Sequence, residues 1–147
     1  MITTPKTALM AFPFLALPTL YLIIVGAFND GPSWLDAEIF NFDVLSGAAI
    51  TIRHGDLVVT VGLVLLFIEI LKSVNTTRAS LINHGFSVIN LITCILLLIG
   101  NRSFAHVSFL LVTLMALVDV ISGYWVSVVA ARRDFALNSG GEPFKSN

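Results

Sequence analysis

A few charged and strongly polar side chains stand inside long apolar runs of this sequence, and they are the residues best equipped for chemistry. A charged group near the centre of a membrane helix costs about 2.5–3.5 kcal/mol to insert, so each one needs a structural or functional reason. Such groups either hydrogen-bond to one another and fix helix packing, or they pass protons or a small cation. The candidate polar cluster consists of Glu69, Lys72, His84, Asn90 and Asp119.

Helical spacing predicts which of these side chains meet. Glu69 and His84 each lie about six residues, or about 9 Å, from one end of their apolar runs, and we expect them to pair. Asp119 and Asn90 lie about twice as deep in theirs and form a second expected pair. Lys72 stands one turn from Glu69, where it neutralises the carboxylate or reaches the membrane surface.

Small and polar residues recur at helical spacing around this cluster, which predicts that the cluster faces other helices rather than lipid. Two interpretations follow. In the favoured one, the polar groups hold the helices together. In the other, they form a track for protons or a cation, although residues 63–67 and 95–99 offer almost no polar steps for such a track. The recurring residues are His84, Ser87, Asn90 or Leu91, and Cys94 on one run, and Ala116, Asp119, Gly123 and Ser127 on another.

The composition requires a lipid environment for the elements that position these residues. The chain has 147 residues, of which 56% are hydrophobic and 12% charged, and its mean hydropathy is +0.93. A soluble domain needs more polar side chains to cover its surface. The eight basic residues are scattered, which excludes a nucleic-acid-binding face. Cys94 has no partner for an internal disulfide and is interpreted as a buried thiol.

Four apolar segments are each long enough to cross about 30 Å of hydrocarbon as a helix: residues 8–28, 57–74, 80–99 and 107–131. Backbone amides in lipid must bond within their own segment, and the alternation of a barrel strand is absent. We therefore predict an all-α membrane protein: an antiparallel four-helix transmembrane bundle covering residues 1–134, in which successive helices are neighbours. Residues 135–147 lack periodicity and are predicted to form a disordered tail.

Basic residues predict the orientation of the four spans. By the positive-inside rule both termini are cytoplasmic, and the segment between the first two spans is external. The first span resembles a signal peptide in having Lys6 before its apolar run, but the run is too long for one, and we expect it to be retained. Pro13 and Pro18 should bend or loosen it. The cytoplasmic side carries Lys6, Lys72, Arg78, Arg132, Arg133 and Lys145, and the external side Arg53 and Arg102.

The external segment, residues 29–56, contains a predicted β-hairpin. Apolar and polar residues alternate over 39–44 and again over 49–53, with Ser46-Gly47 between them. A lone hairpin is marginally stable in water, so its apolar face is expected to lie on the helix ends, on the membrane or on a partner. The candidate partner surface consists of Trp34, Phe40, Phe42, Ile50 and Ile52.

Motifs of known enzymes are not present in the sequence. There is no phosphate-binding loop, nucleophile elbow, dinucleotide fingerprint or paired metal-binding histidine motif. His54 and His106 are both expected on the external side, where two histidines alone would make a weak metal site. The sequence therefore predicts no enzymatic activity, no cofactor and no metal, with acid–base work by Glu69, Lys72 and His84 on a lipid as a distant alternative.

Several short stretches resemble a group of small four-transmembrane proteins of the bacterial inner membrane. The resemblance covers most of the chain and implies that location. It implies no activity and no site residues. The stretches are Glu69-Ile70-Leu71-Lys72, Ser46-Gly47, Gly55-Asp56-Leu57 and Ala130-Ala131-Arg132-Arg133-Asp134-Phe135.

These observations favour an interaction role over a catalytic one. We expect a small accessory or scaffold subunit that docks onto a larger inner-membrane assembly, with the lipid bilayer and either a membrane-protein partner or further copies of the chain as its partners. The alternative is a small proton- or cation-coupled transporter that uses the intramembrane carboxylates.

Overall fold

The computed structural model describes residues 12–73 and 78–139 of the chain, with side chains for 12–73, 82–129, 131 and 132. Most of these residues are helical. The helices are α1 (Ala16–Ala27), α2 (His54–Ser73), α3 (Arg78–Gly100) and α4 (Val107–Ser139). Two strands, β1 (Glu38–Asp43) and β2 (Ala49–Arg53), lie between α1 and α2, and short 3₁₀ helices cover Pro32–Asp36 and Arg102–Phe104.

Three of the four helices, α2, α3 and α4, are long and apolar enough to cross a membrane. They begin and end within a few residues of the predicted spans, except that α4 continues to Ser139. Residues 135–139 are thus helical where the sequence predicted disorder, and the alanine and leucine there are strong helix formers. Residues 140–147 of the predicted tail lie outside the described residues, as does residue 74 at the end of the second span.

Helix α1 is 12 residues long and begins at Ala16, well inside the predicted first span, of which residues 8–11 lie outside the described residues. Pro13 and Pro18 explain this start. Residues 12–15 form a turn, in which the Ala16 N–H donates to the Pro13 carbonyl at 3.1 Å. Pro18 then falls in the first turn of the helix, where a missing N–H costs no intrahelical bond. The prolines therefore set the start of α1 instead of bending its middle.

Helix α4 is the central helix of the fold, because α2 and α3 both pack along it. The expectation that successive helices are neighbours holds for α3 and α4, whereas α2 makes far more contacts with α4 than with α3. Small residues decide these contacts. Gly55 leaves no room for a Cβ beside Ser108, and Gly62 faces Met115, so α2 and α4 run in the same direction.

The predicted hairpin is confirmed, with β1 and β2 antiparallel. Phe42 stands opposite Ile50 and Phe40 opposite Ile52, so these four apolar side chains share one face. A bulge at Ile39 separates this register from the Glu38–Arg53 pair. At the tip, Gly47 has a φ of +81°, a left-handed conformation that glycine adopts without strain.

The base of the hairpin is attached to the helix ends. The His54 N–H at the start of α2 donates to the Ala37 carbonyl at 2.9 Å. The Asp36 carboxylate lies 3.5 Å from both the Arg53 guanidinium and the His106 imidazole, and the Asp56 carboxylate accepts the Arg53 backbone N–H at 3.0 Å. These contacts fix where the hairpin leaves the helices.

Candidate functional site

A buried ion pair connects three elements at the end of the helices opposite the hairpin. The Glu69 side chain, fully buried on α2, lies 2.9 Å from the Lys72 ammonium nitrogen, whose side chain is 12% exposed. Asn83 on α3 donates its amide to the same carboxylate and accepts from Lys72 at 3.3 Å. We call Glu69, Lys72 and Asn83 the carboxylate cluster.

The turn before α1 supplies the remaining partners of the carboxylate cluster. Because residues 12–15 are not helical, the Phe14 N–H and the Phe12 carbonyl have no partner within α1. The Glu69 carboxylate accepts the Phe14 N–H at 2.8 Å, and Lys72 donates to the Phe12 carbonyl at 2.5 Å. The ion pair therefore takes the place of the missing helical bonds, and its carboxylate sits favourably at the positive end of α1.

Every member of the carboxylate cluster forms hydrogen bonds with other groups of the chain. Glu69 accepts from a backbone amide, a side-chain amide and an ammonium group, which occupies both of its oxygens. Lys72 donates to three acceptors and also lies 4.3 Å from the centre of the Phe14 ring, a cation–π distance. Polar networks whose members are all hydrogen-bonded tend to hold one arrangement of helices.

A second polar group lies between α3 and α4. Asp119 is 4% exposed, and the polar and charged side chains near it include Ser87, Glu69, His84 and Lys72. The His84 ring occupies the space where a Cβ of residue 123 would stand, so only glycine fits there. The Nε2 atom of His84 is buried and has no hydrogen-bond partner in the described part of the chain.

Neither of the two predicted pairs forms. Glu69 meets Asn83 instead of His84, and the His84 ring lies on Gly123. Asn90 lines a cleft of about 380 Å³ between α1 and α3, which Asp119 does not line. One residue along a helix rotates a side chain by about 100°, so depth alone could not select between Asn83 and its neighbour.

Asn83 is the residue that sequence reasoning missed. Its signal was present, since it lies four residues before Ser87 and is itself strongly polar. Ser87 is buried and its hydroxyl donates to the Asn83 carbonyl at 3.2 Å, so both belong to the buried face of α3. On the same face Cys94 is fully buried, with its sulfur 3.6 Å from the Thr19 hydroxyl.

The residues of the predicted partner surface do not all lie on one face. Phe40, Phe42 and Ile50 are exposed on one face of the hairpin, with Ile52 partly exposed beside them, and Leu45 projects from the tip. Trp34 is not part of that face. It is half-buried, packs against the hydrophobic core and meets the His54 ring edge-on at 5.3 Å, because it belongs to the 3₁₀ helix Pro32–Asp36.

His54 and His106, which both lie at the hairpin end of the helices, have separate partners. His54 forms a hydrogen bond with the Tyr21 hydroxyl, and His106 accepts the Ser108 N–H at 3.1 Å. Within the described residues, no group of three or more metal-ligating side chains comes together. Comparison with protein families, curated proteins and solved structures found no match to this chain.

Proposed function

We propose that this chain is a multi-pass membrane protein whose helices are surrounded by lipid. The support is the apolar surface of the long helices. Leu63, Phe67, Ile89 and Leu96 are among many large hydrophobic side chains that are more than half exposed. A soluble monomer does not leave such contiguous apolar surface in water. The four helices then form one transmembrane bundle in a bacterial inner membrane with both termini in the cytoplasm, as the basic residues favour.

We further propose that the chain acts as an accessory or scaffold subunit of a larger membrane assembly and is not an enzyme. The observation that carries this proposal is the contrast between its two candidate sites. Each member of the carboxylate cluster is hydrogen-bonded within the chain, which favours a structural role. The apolar face of the hairpin, by contrast, keeps Phe40, Phe42 and Ile50 exposed in the described part of the chain.

The occupant we propose for that face is an external apolar surface of another membrane protein. A two-stranded sheet has little stability on its own, and the large apolar side chains of this hairpin lie on its exposed face. The backbone bonds from His54 to Ala37 and from Arg53 to the Asp56 carboxylate hold the base of the hairpin on α2, which favours binding without rearrangement.

Purification in mild detergent, with and without cross-linking, tests the proposal. The wild-type chain should retain a stoichiometric partner, and Phe40→Ser/Phe42→Ser should lose it. The control Asn41→Ser/Asp43→Ser alters the opposite face of the same strand and should keep the partner. A wild-type chain that runs alone, or equal loss of the partner in both variants, contradicts the docking role.

A proton- or cation-coupled transporter is the second candidate, and one observation favours it. His84 keeps an unpartnered, buried Nε2 near Asp119, as a relay group would. Proton flux into vesicles, followed with a pH-sensitive dye, should then be lost in Asp119→Asn but not in Asn90→Leu. Absence of flux at every pH tried removes this candidate.

A further inference from the structure

A cleft of about 420 Å³ separates α1 from α2 near the hairpin end of the helices. Its walls are apolar, with Leu17 and Pro18 on α1 and Val61 and Leu65 on α2. Only one end is polar, where Tyr21 and His54 meet. The residues at its mouth are open to the surroundings, since Leu17 and Val61 are both exposed. The cleft is therefore a lateral groove with a single polar terminus.

The length of the cleft matches one leaflet of a bilayer, if the proposed membrane insertion holds. Along α2 it runs from His54 to Leu65, which is about 16 Å at 1.5 Å per residue. The hydrocarbon core of a bilayer is about 30 Å thick, so one leaflet contributes about 15 Å. Because His54 begins α2 at the hairpin end, the polar terminus lies at the level of the lipid headgroups and the apolar walls lie below it.

The Tyr21–His54 pair at the polar terminus has one hydrogen-bond donor to spare, whereas the buried Nε1 of Trp34, which also lacks a partner among the described residues, does not line the cleft. Tyr21 and neutral His54 carry one donor proton each, and the bond between the hydroxyl and Nε2 uses one of them. The other remains on Nδ1 of His54 or on the Tyr21 hydroxyl, depending on the tautomer. The Trp34 ring, edge-on to His54, holds the imidazole in place. An acceptor oxygen at headgroup level would satisfy the remaining donor.

We propose that this cleft binds a single acyl chain of a membrane phospholipid, whose ester carbonyl accepts the spare proton of the Tyr21–His54 pair. A phospholipid has the required shape: a thin apolar chain as long as one leaflet with acceptor oxygens at its outer end. A transmembrane helix of a second copy lacks the acceptor, because its backbone carbonyls are already bonded within the helix.

Quenching of Trp34 fluorescence by phospholipids with brominated acyl chains tests the site. The Trp125→Phe variant is used as the starting protein so that Trp34 is the single tryptophan. In mixed micelles, quenching should saturate at about one phospholipid per chain. Val61→Phe fills the cleft, and its quenching should instead rise only with the bulk lipid fraction. Val64→Phe is the matched control, since Val64 is exposed to a similar extent on the same helix but does not line the cleft (55% against 47%).

The donor is tested separately. Tyr21→Phe leaves a donor on His54 and should bind phospholipid as the starting protein does, whereas Tyr21→Phe/His54→Phe removes both donors and should bind about three- to tenfold more weakly. Equal titrations for the starting protein and Val61→Phe overturn the site. Failure of membrane insertion gives a different result, namely a chain that alkaline carbonate releases from vesicles, and is distinguishable by that extraction.

Discussion

The ion pair between Glu69 and Lys72 makes a quantitative prediction for a double-mutant cycle. Lys72→Met removes the ammonium group and leaves a carboxylate that is fully buried without a counter-charge. Glu69→Gln keeps the shape of the side chain and leaves the ammonium group without its carboxylate. Breaking a buried pair from one side costs about 3–5 kcal/mol of unfolding free energy, because the remaining charge is not compensated.

The double variant Glu69→Gln/Lys72→Met should cost much less than the two single changes together. It leaves no buried charge, and the Gln side chain still accepts the Phe14 N–H and contacts Asn83. What remains lost is chiefly the bond to the Phe12 carbonyl and weaker polar contacts, or about 1–3 kcal/mol. The single changes sum to about 6–10 kcal/mol, so the coupling energy should be at least about 3 kcal/mol.

Unfolding by a denaturing detergent in mixed micelles, followed by the fluorescence of Trp34 and Trp125, measures each corner of the cycle. The Asp36–Arg53 pair is a matched control within the same chain. Its side chains are each 53% exposed, and Asp36→Asn with Arg53→Met should show a coupling of about 0–1 kcal/mol. If the costs at Glu69 and Lys72 add to within about 0.5 kcal/mol, the pair is not an energetic unit and the structural role assigned to it is refuted.

Two further pairs of substitutions test the helix packing. Gly123→Ala places a methyl group where the His84 ring lies, so it should lower the unfolding free energy by about 1–3 kcal/mol. The control Gly85→Ala adds a methyl group to open space on α3 and should be neutral or stabilising by up to about 1 kcal/mol in the same unfolding assay. Asn83→Leu removes the amide that donates to Glu69 and should lower the unfolding free energy by about 1–3 kcal/mol. Asn90→Leu changes a residue of the α1–α3 cleft and should leave the unfolding free energy unchanged. A larger loss for Asn90→Leu than for Asn83→Leu would contradict the hydrogen bonds described above and favour the Asp119–Asn90 pair predicted from depth.

Local patterns in the sequence were sufficient for the elements themselves. Long apolar runs predicted α2, α3 and α4, because backbone groups in an apolar segment of that length must bond within it. Alternation predicted the hairpin to within one residue at each strand end, because side chains of a strand alternate between faces. Burial of Glu69 and Asp119 was predictable too, since the cost of exposing a charge to lipid is large for any arrangement of helices.

The partners of the polar side chains were decided by the tertiary structure alone. Which side chains pair between two helices depends on the rotation of each helix and on which helices are neighbours. An error of one residue in the predicted position was enough to select His84 in place of Asn83 as the partner of Glu69. The backbone groups of Phe12 and Phe14 became partners only because the turn before α1 lies against α2. A pattern that describes each helix separately contains neither of these facts.

The sequence by itself determined the three long helices, the two strands that pair and which carboxylates are buried, because these follow from periodicity and from the cost of desolvating a charge. Only the tertiary structure decided that α4 is central and that α2 packs mainly on α4 and not on α3, its neighbour in sequence. The physical reason is shape: Gly55 beside Ser108 and Gly123 beneath His84 leave room for neighbouring side chains where any Cβ would clash.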